Sequence, residues 1–151
     1  MGTMTRFRGI VVVAGTATGS AIVSDVPLSY WGGVDPVTGE VIDRRHPLSG
    51  ACLSRLVLVL PHGRGSCSAS GVLLESIRNG TAPAAIITEQ IDPILALGSI
   101  LGDEMYGTPI PIIAMPGFIA SGVQTGQFIN IAPDGSIFVD PAVASPTTIP
   151  T

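Results

Sequence analysis

"LVLVLPHGRGSCSASGVLLESIRNG", residues 56–80, carries the decision about the fold. Leu56–Leu60 is a short, unbroken apolar run closed by Pro61 and Gly63, the pattern of a strand buried on both faces. Over residues 69–79 the period changes. Leu73, Leu74 and Ile77 make one face, Glu75 and Arg78 lie opposite, and Gly80 stands where a helix stops. A strand that turns through glycines into an amphipathic helix is half of a strand–helix–strand unit, and Ala84–Thr88 supplies the second strand.

The unit then repeats. Asp92 and Pro93 read as an N-cap followed by proline at the first helical position. Ile94, Leu97 and Leu101 mark one face of a short helix, and Pro109–Ala114 reads as a strand with its prolines near an edge. Upstream, residues 9–14 (GIVVVA) read as a buried strand, 15–19 (GTATG) as a glycine-rich turn rather than a ligand loop, and 21–24 as a second strand. Downstream, Phe128–Ile131 and Ser136–Val139 flank Pro133-Asp134-Gly135, a hairpin signal. This order predicts an α/β domain built on a mixed sheet or partly closed barrel with flanking helices. The domain is expected over residues 1–140. Residues 141–151, rich in Pro, Thr and Ser, are expected to form a loose tail.

The chain has 151 residues, enough for one domain with a real core. Charged residues make up 12%, against about 25% in an average soluble domain. The mean hydropathy is +0.54. No apolar run approaches the roughly 18 residues of a membrane helix, and no targeting segment is evident, so a cytoplasmic protein is expected. An apolar, weakly charged surface is explained either by Ala, Gly and Pro in loops or by a second chain that covers part of it. A net charge of −4 and the absence of lysine argue against nucleic acid. Cys52, Cys67, His46 and His62 do not form a metal-ligand pattern. Any metal this protein works with is expected to take most of its ligands from something else.

Residues 25–50 form one long irregular stretch holding Tyr30 and Trp31. Aromatic residues are scarce in disordered segments, so an ordered loop is expected, anchored by Trp31. It serves either as an interface or, through Gly32 and Gly33, as the mouth of a site.

In Gly63-Arg64-Gly65-Ser66, strand 56–60 delivers a small hydroxyl close to a helix N-terminus, where free N–H groups attract anions. Arg64 is suited to grip a carboxylate or phosphate with two parallel hydrogen bonds. Several readings stay open on pattern alone. Ser68 or Ser70 caps the helix while Arg64 pairs with a surface acid; or the loop binds phosphate, although GxxxxGK[ST] is absent; or a serine acts as nucleophile, although no G-x-S-x-G elbow exists; or a serine acts as a base. The last demands an alkoxide. A helix terminus contributes at most about 2 kcal/mol, and one pKa unit is about 1.36 kcal/mol. The helix alone therefore falls far short. Arg64, exclusion of water and a nearby metal would have to supply the rest, which a lone open domain cannot do.

Residues 28–50 (LSYWGGVDPVTGEVIDRRHPLSG) followed by 60–87 (LPHGRGSCSASGVLLESIRNGTAPAAII) strongly resemble the small subunit, or swivel domain, of the aconitase X family. The resemblance implies the swivelling β/β/α fold of the aconitase superfamily and a large-subunit partner carrying an iron centre, either an iron–sulfur cluster or mononuclear iron. It implies an iron-assisted dehydration of a hydroxy acid: cis-3-hydroxy-L-proline to Δ1-pyrroline-2-carboxylate, the favoured substrate here, or mevalonate 5-phosphate. By position Ser66 matches the proton-abstracting base, with Arg64, Gly65, Gly32 and Gly33 about the substrate. Aconitases place the arginine after the serine, whereas here it precedes it. His46 is expected to be structural. The rival from another class is a binding module without chemistry, an anion-sensing swivel domain that acts as a monomer.

Overall fold

The computed structural model describes residues 3–64 and 67–143. These hold β1 (Thr5–Arg8), β2 (Ile10–Val13), β3 (Ala17–Val23), β4 (Val57–Leu60), α1 (Ser68–Asn79), β5 (Ala85–Thr88), α2 (Pro93–Tyr106), β6 (Ile112–Ala114), a single 3-10 turn at Ile119–Ser121, β7 (Gln127–Ile131) and β8 (Ser136–Val143). The two strand–helix–strand units and the hairpin of the sequence reading are present. The strand β1 was not foreseen. β3 begins at Ala17, so Thr18 and Gly19 belong to a strand rather than a turn. β8 runs to Val143, three residues into the stretch expected to be a tail.

The eight strands form one mixed sheet in the order β1-β8-β7-β3-β4-β5-β6-β2. From β3 to β6 the neighbours are parallel; every other pair is antiparallel. The first and last strands of this order are consecutive in the chain, with only Gly9 between Arg8 and Ile10. The chain crosses from one end of the sheet to the other at that residue and nearly closes a barrel. Gly9 N–H donates to Gly135 O at 3.0 Å. A Cβ at Gly9 would sit 2.4 Å from Ile113 Cγ2 and 2.8 Å from Ala114 O, so the crossing requires a residue without one. Because β2 pairs only with β6, it is an edge. Ile10 and Val11 are exposed, contrary to the buried strand expected at residues 9–14.

Strand alternation divides the core in two. Val57, Val59, Ala85, Ile87 and Ile113 point into the barrel, against Ile129, Ile137 and Phe118. Leu58, Leu60, Ile86 and Ile112 point the other way, toward Leu73 and Ile77 of α1 and Leu95 of α2. Thus β4, β5 and β6 are buried on both faces, which is why they read as unbroken apolar runs.

The buried face of α2 differs from the sequence reading. Leu97 is 42% exposed and Ile94 and Leu101 only partly buried, while Leu95, Ala96, Gly98, Ser99 and Gly102 face inward. The two helices approach closely through small residues. A Cβ at Gly98 would lie 3.0 Å from Ser70 O, and one at Gly102 would lie 2.7 Å from Ile77 Cδ1. Ser99 Oγ donates to Ile110 O and accepts from Ile110 N–H. Apolar periodicity could not find this face, because glycine and serine form much of it.

Residues 24–56 link the parallel strands β3 and β4 and fold over the helix side of the sheet as an ordered layer. Leu28, Tyr30, Val34, Val41 and Leu53 are buried in that core. The anchor is Tyr30, not Trp31, whose side chain is 64% exposed. Thr81 Oγ1 and Asn79 Nδ2 donate to Pro36 O, fastening the layer to the end of α1.

Candidate functional site

Parallel strands gather the loops at their carboxyl ends on one edge, where α/β sheets bind ligands. Here those loops are Ser24–Tyr30 after β3, Pro61–Arg64 after β4 and Glu89–Asp92 after β5. They are tied to each other. Ser24 N–H donates to Val59 O, Glu89 N–H to Pro61 O, and Arg64 N–H to Leu28 O at 3.1 Å. Leu28 and Gly63 form a parallel bridge. The two stretches that carry the resemblance therefore meet in space.

Asp92 fixes the centre of this edge. Its Oδ1 accepts from the N–H groups of Ile94 and Leu95, the N-cap expected from the sequence. Its Oδ2 accepts from Gly63 N–H at 2.7 Å. Glu89 is occupied in a similar way, receiving the N–H groups of Gly117 and Ile119. Neither carboxylate is free for acid–base work.

Arg64 is exposed and lines two adjoining cavities. The smaller, of about 40 Å³, also has Tyr30, Gly63 and Asp92 in its wall, with Leu28, Ala69, Ile94 and Leu95. The larger, of about 510 Å³, is an open trough formed by Arg64 with Val26, Pro27, Asp43, Arg44, Arg45 and His46. Among the described residues Arg64 makes no ion pair, the one such pair being Arg78 with Glu75. The alternative in which Arg64 pairs with a surface acid is therefore set aside. Three arginines against one aspartate, Asp43, line this trough, a net cationic lining on a chain of net charge −4. Sequence reasoning found only Arg64 near Ser66. Arg44 and Arg45 lie some twenty residues upstream, and no local signal links them to it.

His46 is buried and structural. Its Nε2 donates to Val26 O and its Nδ1 accepts from Leu48 N–H, so neither nitrogen is left for a ligand. His62 Nδ1 donates to Gly63 O. Tyr30 has the one buried side-chain oxygen or nitrogen without a hydrogen-bond partner among the described residues. Burial pushes its phenol well above the ordinary tyrosine range.

Gly65 and Ser66 lie outside the described residues. The helix that follows them has Cys67 at its N-cap without a side-chain cap bond, and Ser70 donates to Ile94 O at 2.6 Å instead of capping. Gly32 is exposed at φ 77° in the turn after Trp31, with open space around it. Gly33 is buried, and a Cβ there would fall 2.1 Å from Ser29 O, so the local packing needs glycine. Neither lines the two cavities beside Arg64. Cys52 and Cys67 are exposed free thiols. Among the described residues no three His, Cys, Asp or Glu side chains come together as a metal site, and no helix is long and apolar enough to cross a membrane. The iron centre implied by the resemblance has no ligand set in this part of the chain.

A nearly closed mixed barrel, with two helices on one side and its polar loops collected at the ends of the parallel strands, is a swivel-type β/β/α domain. The chain belongs to the aconitase X swivel domain family, whose model matches residues 6–139. It is similar to the cis-3-hydroxy-L-proline dehydratase of Pseudomonas aeruginosa, 52% identical over 104 residues, 69% of this chain and 18% of that protein. The enzyme of the same name from Hypocrea jecorina is 46% identical over 110 residues, 73% of this chain and 18% of that protein. The phosphomevalonate dehydratase small subunit of Methanopyrus kandleri is 41% identical over 135 residues, 89% of this chain and 96% of that one. The chain thus spans less than a fifth of the two hydroxyproline dehydratases and nearly the whole small subunit. Among solved structures, Thermococcus kodakaraensis aconitase X in its holo-form superposes with a TM-score of 0.80 at 34% identity, covering 90% of this chain and 98% of that one.

Proposed function

We propose that this chain is the small, swivelling subunit of an aconitase X-type hydro-lyase. With a large subunit it converts cis-3-hydroxy-L-proline to Δ1-pyrroline-2-carboxylate in the cytoplasm. The observation that carries the reading is Arg64, without an ion pair among the described residues, at the carboxyl ends of the parallel strands, in a chain 52% and 46% identical to two proteins named for that reaction. Arg64 binds the substrate carboxylate. Ser66, two residues on, takes the proton from the carbon that bears it. The electrons of that C–H bond form the new C=C bond as the C–O bond breaks, and the hydroxyl leaves as water after taking up a proton. The enamine so formed tautomerises to the imine. Iron belongs to the partner in this reading; the described residues offer it no ligand set. The partner also closes the site, which a serine base requires.

The test is an anaerobic assay of this chain co-assembled with its large subunit, on cis-3-hydroxy-L-proline. Turnover is expected only with both chains, and Ser66→Ala is expected to lower kcat by at least a thousandfold with the complex intact. Near-normal turnover by that variant would remove Ser66 from its role. Saturable anion binding by a stable monomer, with no turnover in the assembly, would favour the non-enzymatic anion module.

One observation favours a second substrate, mevalonate 5-phosphate. Arg44, Arg45 and Arg64 share one trough, more cationic than a single carboxylate needs, and the small subunit from Methanopyrus kandleri matches along 96% of its length. The same assembly assayed on that compound separates the two.

A further inference from the structure

We propose that the cavity at the amino ends of β4, β5 and β6 is a second binding site, and that Arg55 makes it one for a small carboxylate with an apolar body. The site stands apart from the dehydratase reading. It lies at the edge of the sheet opposite the Arg64 loop and shares no lining residue with the two cavities there.

Arg55 breaks a local rule. Its φ is 65°, and among the described residues it is the one residue other than glycine in the left-handed region. That region disfavours any side chain with a Cβ and does not disfavour glycine. The neighbours fix this backbone shape. Arg55 N–H donates to Ala82 O at 3.1 Å, and β3 passes so close that a Cβ at Gly19 would lie 2.7 Å from Arg55 O. For folding alone, glycine would suit position 55 better. The arginine is exposed, and among the described residues it makes no ion pair that would offset the strain.

Arg55 lines a cavity of about 250 Å³, whose wall includes Pro83 and Ala84 ahead of β5, Pro109 and Ile110 ahead of β6, and Ile77 of α1. The wall is preformed. Ala84 N–H donates to Leu56 O at 2.8 Å, and Ser99 Oγ holds both the N–H and the carbonyl of Ile110. Arg55 is its one charged residue, and no acidic side chain lines it to hold an ammonium group. Thr108, the one hydroxyl in the wall, donates to Tyr106 O. A guanidinium presents a planar pair of N–H donors that match one carboxylate. A phosphate dianion would find a single cation here, against three in the trough of Arg44, Arg45 and Arg64. The alanine, proline and isoleucine surfaces favour carbon over water. About 10–15 Å³ of such room holds one water, so about 250 Å³ takes a ring or branched chain of several carbons beside the carboxylate.

Methyl NMR on the two-chain assembly and on the full chain alone, with cyclopentanecarboxylate as the probe, decides it. Ile77 and Ile110 are expected to shift together and saturably. The midpoint should rise at least about tenfold in Arg55→Gln, and by as much when the neutral carboxamide replaces the probe. It should rise at least fivefold with acetate, which lacks the ring. Ile94, in the wall of the cavity beside Arg64, reports the other site. No saturation at Ile77 and Ile110, a response confined to Ile94, or an unchanged midpoint for the carboxamide or for Arg55→Gln would overturn the proposal. Binding by the chain alone that vanishes in the assembly would mean that the partner fills the cavity, and would overturn it as a site for a free ligand. Arg55→Gly is expected to lose binding and to be at least as stable as the parent in urea, since the left-handed turn no longer carries a side chain. An Arg55→Gly chain less stable than the parent would assign the arginine to folding and sink the site. Turnover is not a readout in either measurement, so failure here and failure of the dehydratase reading are distinct.

Discussion

Asp92 and Gly63, twenty-nine residues apart, are joined by a 2.7 Å hydrogen bond from the Gly63 amide to Oδ2, while Oδ1 of the same carboxylate caps α2. One side chain therefore positions the helix after β5 and the loop after β4, and with that loop the start of the Arg64 segment. Asp92→Ala removes both. Losing the cap costs about 0.5–2 kcal/mol, and leaving the Gly63 amide unpaired adds about 1–3 kcal/mol. Asp92→Asn keeps an oxygen for the cap and presents an amide group to Gly63. In urea, Asp92→Ala is expected to lose about 2–4 kcal/mol and Asp92→Asn about half of that. Amide exchange should quicken at Gly63 in both variants and at Leu95 in the alanine variant only. Equal losses would mean that the two bonds are not separable.

The buried face of α2 gives a sharper test of packing. Leu95 is 1% exposed and Leu97 is 42% exposed, two positions apart on the same helix. Leu95→Ala is expected to cost about 2–5 kcal/mol, as other buried leucines do. Leu97→Ala in the free chain should stay within about 0.5 kcal/mol of the parent. A large loss at Leu97 in the free chain would restore the face that apolar periodicity suggested.

That face shows where sequence reading stops. Strands buried on both sides announce themselves as apolar runs, so β4 and β5 were legible, as were the Asp92-Pro93 start and the Gly80 stop. β1 was not, because Thr5–Arg8 alternates two arginines with polar and aromatic residues and draws its order from pairing with β8. The inward face of α2 is built of Gly98, Ser99 and Gly102, which carry no hydrophobic signal. At the candidate site, the glycine-rich turn after β4 that carries Arg64 was legible. The company of Arg44 and Arg45, the double duty of Asp92 and the orphan hydroxyl of Tyr30 are long-range facts, set by how residues 24–56 fold back over the sheet.

The β7–β8 hairpin supplies a pH-dependent contribution. The Ser136 backbone N–H donates to Asp134 Oδ1 at 2.9 Å and, with the Ser136 hydroxyl, holds that carboxyl below the usual carboxylate range. A depressed native pKa means that the unfolded chain binds the proton more readily. The contribution is present at neutral pH. It begins to fade as pH falls to the unfolded value of about 3.9 and is lost once pH passes below the native one. Asp134→Asn keeps an acceptor without the charge. The variant is expected to be slightly less stable at pH 7, to converge on the parent in acid, and to lack the Asp134 carboxyl titration seen by NMR. A stability gap that widens below pH 4 would reverse the sign of this argument.

The trough of Arg44, Arg45 and Arg64 separates the two substrate readings through paired glutamine substitutions. A charge-assisted hydrogen bond is worth about 1.5–3 kcal/mol, and about 1.4 kcal/mol is tenfold in rate. If a phosphorylated substrate lies there, Arg44→Gln with Arg45→Gln should lower kcat/KM for mevalonate 5-phosphate by at least about a hundredfold. If the substrate is cis-3-hydroxy-L-proline, its lone carboxylate is already met at Arg64, and the same double variant should stay within about threefold of the parent on it. Arg64→Gln is expected to impair either substrate, because each carries the carboxylate. A double variant that loses activity on hydroxyproline with normal assembly would mean that the trough holds the carboxylate after all, and that Arg64 alone is not its grip.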